Sequence, residues 1–103
     1  MGTRRIYICS PCSTEEQIAV RRQRIEELSE RIRRMGWKPV YNGTEMTLGK
    51  RLNDVTMCHG IVLDVGWKKC SVCIDEYTIA NNHKLTFFHT REEWDSVSGK
   101  FVL

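Results

Sequence analysis

Two CxxC pairs and two carboxylates hold most of the reactive potential of this sequence. Cys9-x-x-Cys12 and Cys70-x-x-Cys73 account for four of its five cysteines. Four thiolates at tetrahedral distance bind zinc with Zn–S bonds near ~2.3 Å. The pairs lie much further apart along the chain than those of a zinc ribbon, and Cys9 and Cys73 occupy positions that face a core. Buried cysteine usually serves as a small apolar residue. The expected metal is therefore none, with Cys9, Cys12, Cys70 and Cys73 as the alternative ligand set. Cys12, near the start of the first helix, is where the helix would depress a thiol pKa, but no histidine accompanies it in sequence. Asp64 ends a strand and Glu76 lies in the first turns of a helix. Each also has a plain structural role, Asp64 as a turn or cap acceptor and Glu76 as a partner of the helix dipole worth ~0.3–1 kcal/mol. Tyr7 reads equally as a core aromatic with a satisfied hydroxyl. His59, His83 and His89 fall at element ends, as solvated or capping groups. Neither GxGxxG nor GxxxxGK[ST] occurs, so ATP, NAD and flavin are not expected, and no cofactor is.

The elements that must position these residues can be read from pattern. Arg4 to Cys9 is a short strand stopped by Pro11, which has no N–H for a ladder. Thr14 with Gln17 makes a capping box, and Glu15 and Glu16 suit the positive end of a helix. Ile18, Ile25, Leu28, Ile32 and Met35 recur at helical spacing, which predicts a helix over about 15–35 ended by Gly36. Lys38 to Tyr41 is a short strand whose Pro39 keeps it to an edge. A weaker helix follows over 48–57 with Leu48, Leu52, Val55 and Met57 inward. Gly60 to Val65 is nearly continuous apolar, the pattern of a central strand covered on both faces. Ser71 caps a helix to about Asn82 with Cys73, Tyr77 and Ala80 inward and Ile74 nearby. Leu85 to Phe88 is a last strand, Thr90 with Glu93 opens a short helical turn, and the tail from 96 to 103 is expected to be poorly ordered.

At 103 residues, 41% apolar and 28% charged, the chain has the size and balance of one globular domain. The order βαβαβαβ predicts a flavodoxin-like three-layer α/β/α sandwich, with about four parallel strands in the order 2-1-3-4. Ligands of such sheets bind outside the carboxyl ends of the strands where the order reverses. Here that point lies between the first and third strands, whose loops are 10–13 and 66–71. Cys9, Ser10, Pro11, Gly66, Trp67, Cys70 and Ser71 are thus the expected substrate-binding positions.

A formal charge of +3 is too small to argue for nucleic acid. The arginines of the first helix are interleaved with Glu26, Glu27 and Glu30, as on an ordinary solvated face. No run approaches the ~20 apolar residues of a membrane span. The apolar run from Ile6 to Cys9 is too short for a signal peptide, and Ile6 stands where a myristoylation signal needs Ser or Thr. The reading is a cytoplasmic protein with reduced thiols.

Three segments together resemble the nucleoside 2-deoxyribosyltransferase-like superfamily. Ile6-Tyr7-Ile8-Cys9-Ser10-Pro11 is similar to its Y-I-S-G-P or Y-I-S-S-P opening. Leu52 to Trp67, ending Cys58-His59-Gly60-Ile61-Val62-Leu63-Asp64-Val65-Gly66-Trp67, is similar to its L-x(5)-C-D-A-I-V-L-L-P-G-W segment. Cys70 to Ala80 sits where the family has S-x-G-A-x-x-E-x-x-x-A. The resemblance spans residues 4–88. It implies that Glu76 attacks the anomeric carbon of a nucleoside or nucleotide and that Tyr7 orients the carboxylate. Asp64, at the carboxyl end of the third strand, is the candidate for protonating the departing base, which needs an acid. It also implies a homo-oligomer. His59, Cys70 and Val72 depart from the family pattern in the pocket, which opens the alternative of a non-catalytic module that binds a small ligand on the same fold.

Overall fold

The computed structural model describes residues 4–43, 48–92 and 101–103. Strand β1 (Arg5–Cys9) leads to helix α1 (Glu15–Arg34), followed by β2 (Lys38–Val40), α2 (Leu48–Thr56) and β3 (Gly60–Leu63). A 3-10 turn (Trp67–Lys69) precedes α3 (Ser71–Asn82), β4 (Thr86–His89) and β5 (Phe101–Val102). The strands lie in the order β2-β1-β3-β4-β5, and every pair is parallel. The expected α/β sandwich with order 2-1-3-4 is therefore present, extended at its edge by β5. That extension corrects the reading of the tail. Leu103 N–H donates to His89 O at 2.8 Å, and Leu103 is 4% exposed. Residues 96–100, together with Glu93 and Trp94, lie outside the described residues.

Strand residues alternate between faces, and each face has its own core. Ile6, Ile8, Val62 and Phe88 pack with Ile25, Leu28 and Ile32 of α1. Tyr7, Cys9, Ile61 and Leu63 pack with Val55 of α2 and with Cys73 and Ala80 of α3. No described helix is long and apolar enough to cross a membrane.

The capping box at Thr14 and Gln17 is formed, and Gly36 follows the helix at φ +83°. The apolar stripe of α1 is nevertheless longer than its core. Ile18 (47% exposed) and Met35 (41%) lie in solvent, because a helix of 20 residues runs ~30 Å past strands of ~17 Å. Met57 is likewise exposed, whereas Arg51 is buried and Leu52 half-buried. The N-cap of α3 is Cys70, not Ser71, which is exposed in the first turn. His59 acts as an acceptor at the start of β1, taking the Arg5 N–H on Nδ1 at 3.1 Å.

Gly60 has no room for a side chain. A Cβ there would stand 2.8 Å from Phe88 Cε1 and 3.1 Å from Thr86 O. Gly60→Ala should therefore destabilise the fold by about 1–3 kcal/mol, read as a lower urea midpoint at unchanged slope. An unchanged midpoint would refute this account of the β3–β4 contact.

Candidate functional site

Helix α3 lies over β1, so its residues at i, i+3 spacing descend onto that strand. Cys73 and Glu76 occupy two consecutive such positions, and both are buried. Glu76 is 2% exposed. The Tyr7 hydroxyl donates to its Oε2, and Cys9 Sγ lies 3.5 Å from its Oε1. Asn42 Nδ2 donates in turn to Tyr7 Oη at 3.3 Å, which makes a relay from β1 towards the surface. Burial pushes the Glu76 carboxyl above its ordinary value; the Tyr7 hydrogen bond, the Arg51 charge, Cys9 and Arg21 pull it back in part. Burial, and then the charge of Glu76, push the Tyr7 hydroxyl up, so it stays a protonated donor. A cavity of about 420 Å³ lined by Ile18, Arg21, Ile25, Tyr41, Asn42 and Gly43 reaches the outer end of the relay.

Asp64 does not join Glu76 and Tyr7. Leu63 packs on the α3 side of the sheet, so the next residue turns to the α1 side. There Ser10 Oγ donates to Asp64 Oδ2 at 2.8 Å, and Arg24 Nε and Nη2 reach Oδ1 at 3.0 and 2.8 Å. The Val65 N–H adds a contact to Oδ1 at 2.8 Å. Burial lowers the Arg24 pKa, but the hydrogen bonds and charge of Asp64 outweigh it and raise the guanidinium further. The Ser10, Arg24 and Val65 groups that meet this carboxylate all donate to it, and Arg24 makes it one half of an ion pair. The structure thus places Asp64 on the α1 side, paired with Arg24, and does not bring it together with Glu76 and Tyr7.

The expected substrate positions divide accordingly. Ser10 and Pro11 line a cavity of about 510 Å³ with Val20, Arg24, Asp64 and Val65 on the α1 side. Cys9 and Cys70 face the α3 side with Glu76. Gly66 turns the chain at φ +81°. Trp67 stacks on Tyr77 at 4.9 Å, as loop packing on α3. Val72 is half-buried against the same core.

The thiols form a row along this side. Cys70 caps α3, and its Sγ accepts from Ser13 Oγ at 3.0 Å and from the Cys12 N–H at 3.4 Å. Burial pushes the Cys70 thiol up, but these bonds and those from Cys73 prevail and bring it to about 7. Burial raises Cys12 instead, against the depression expected for it. Cys9 lies well above its ordinary value for the same reason. The hydrogen bond with Cys9 lowers Cys73, yet burial and the neighbouring Cys70 leave it raised. Cys9 Sγ, Cys73 Sγ and a Glu76 carboxylate oxygen all lie within 4.8 Å of one another.

Sequence reasoning missed the low-pKa thiol at Cys70 and the buried guanidinium groups of Arg21 and Arg51. The signal for Cys70 was the CxxC opening α3; the two arginines gave none. No protein-family model, curated protein or solved structure matches this chain.

Proposed function

We propose that this chain binds a nucleoside or nucleotide and cleaves or transfers at its N-glycosidic bond, with Glu76 as the nucleophile. The observation that carries the reading is the Glu76 carboxylate, buried at 2% exposure and held by the Tyr7 hydroxyl. A carboxylate shielded from water attacks C1′ while the C1′–N bond breaks, and the base departs with the bonding pair. Water or a second base then releases the sugar. Asp64 lies across the sheet, so the departing base takes its proton from solvent or from another element. Tyr7 is a positioning residue whose hydrogen bond lowers the Glu76 pKa. On this reading Tyr7→Phe moves the low-pH limb of base release to higher pH, and an unmoved limb would remove Tyr7 from the site.

The position of Asp64, paired with Arg24 across the sheet from Glu76, favours a second reading, a binding module without turnover. Liquid chromatography of a panel of deoxynucleosides and their 5′-monophosphates tests both. Base release that is lost in Glu76→Ala supports the enzyme, whereas thermal stabilisation by a panel member without base release supports the module. Neither effect across the panel sinks both.

Partners are proposed along the same line. A small nucleoside or nucleotide is the ligand and no cofactor is invoked. A second copy of the chain is expected from the resemblance, to be read by light scattering. Arg22–Glu26 and Arg34–Glu30 pairs along α1 favour a solvated face over a nucleic-acid surface. No cysteine is in a disulfide, which suits a reducing compartment, and the cytoplasm is the location proposed.

A further inference from the structure

We propose that Cys9, Cys73 and Glu76 form a binding site for a thiophilic divalent cation of the zinc class, with Cys70 as a further candidate donor. Two sulfurs and one oxygen, all buried, come within 4.8 Å of one another from two separate elements. The spacing is close to that of a metal's own ligands. Bonds of about 2.3 Å to sulfur and 2.0 Å to oxygen at a tetrahedral centre put S and O about 3.5 Å apart. Cys9 Sγ and Glu76 Oε1 are separated by 3.5 Å. Cys73 and Glu76 stand one helical turn apart on the buried face of α3, and Cys70 lies at its N-cap in the same core. Soft thiolates with one carboxylate select zinc over magnesium or calcium, which require oxygen alone.

Two surrounding features suit a metal. The Tyr7 hydroxyl donates to the carboxylate oxygen opposite the one near Cys9, as an outer partner that fixes a ligand's orientation does. Arg21 and Arg51, both buried, place fixed positive charges near this carboxylate. They offset the excess negative charge that two or three thiolates and a carboxylate retain around a dication. Binding is a proton exchange: each coordinated thiol gives its proton to solvent, and no electron is transferred.

The site shares Glu76 with the reaction proposed above, so an occupied metal site and attack on a sugar exclude each other. It can be read without any activity. Reduced protein purified without chelator is titrated with Co²⁺, which reports tetrahedral thiolate ligation by a sulfur-to-metal charge-transfer band. One equivalent should bind, develop that band, raise the melting temperature and be displaced by Zn²⁺. Cys9→Ala and Cys73→Ala should each lose more affinity than the roughly 10–100-fold typical of an outer partner. Cys58→Ala, whose sulfur contacts Asp54 O at the end of α2, should bind as wild type. Circular dichroism of the metal-free variants separates lost ligation from lost fold. Absence of the band in wild type overturns the site, as does a band that survives in folded Cys9→Ala and Cys73→Ala.

Discussion

Arg24→Met is expected to destabilise the protein by about 3 kcal/mol, the lower end for breaking a buried ion pair by removing one partner. Asp64 is 1% exposed, and Arg24 supplies two of the four hydrogen bonds to its carboxylate. Ser10 and the Val65 N–H remain in the variant, which keeps the cost from the upper end of the range. A loss of this size is a large share of the stability of a small domain and should lower its melting temperature by more than about 10 °C. The charge left behind is the cause, so Asp64→Asn in the Arg24→Met background should recover most of the loss, and a double-mutant cycle isolates the coupling. Additive single effects would refute the pair. Arg24 and Arg31 also hold Glu92, which their hydrogen bonds keep at about 2 against an ordinary value of 4.5. A depressed carboxylate stabilises the fold above its unfolded value, so this contribution should fade as the pH falls from about 4.5 towards about 2. Solvent reaches Glu92, which makes the contribution small and sensitive to salt.

The sequence made α1 legible because three independent signals agreed there: a capping box, a helical apolar period and a terminal glycine. It made β3 legible because only a strand covered on both faces needs Gly60 to Leu63 apolar throughout. The pairing of Glu76 with Tyr7 followed from resemblance, and the structure brings the two into contact. That Asp64 lies on the other side of the sheet from Glu76 was not legible, for a physical reason. Whether Asp64 faces α1 or α3 depends on the register Tyr7↔Ile61 and Cys9↔Leu63, and a one-residue slip would reverse it. No residue pattern within either strand fixes that register. Cys70 was passed over as a cap because the preference scale favours Ser71 beside it. Its sulfur is held instead by the Ser13 and Cys12 donors of the first loop. Strand β5, at two residues, is too short to carry a period.

Glu76→Gln should separate folding from chemistry. In the folded chain the carboxyl is held above its ordinary value, chiefly by burial. A raised carboxyl favours the native state most at low pH, where both states are protonated, and that advantage is lost as the pH rises through the folded pKa. Wherever Glu76 is ionised, the wild type therefore bears the cost of a charge buried on the sheet-facing side of α3. Glutamine keeps the shape and can still accept from Tyr7 without charge, so the variant should be at least as stable as wild type at every pH where Glu76 is ionised. Its stability should also vary less with pH across the range where Glu76 ionises. Glu76→Ala, by contrast, leaves a cavity and a Tyr7 hydroxyl without its acceptor and should cost about 2–4 kcal/mol. Base release should vanish in both, because an amide cannot form the glycosyl ester. Stability that rises while turnover disappears is the signature of a buried group retained for its reactivity. If Glu76→Gln is instead as unstable as Glu76→Ala, the carboxylate is holding Tyr7 and α3 together through its charge, and its burial no longer supports a role as nucleophile.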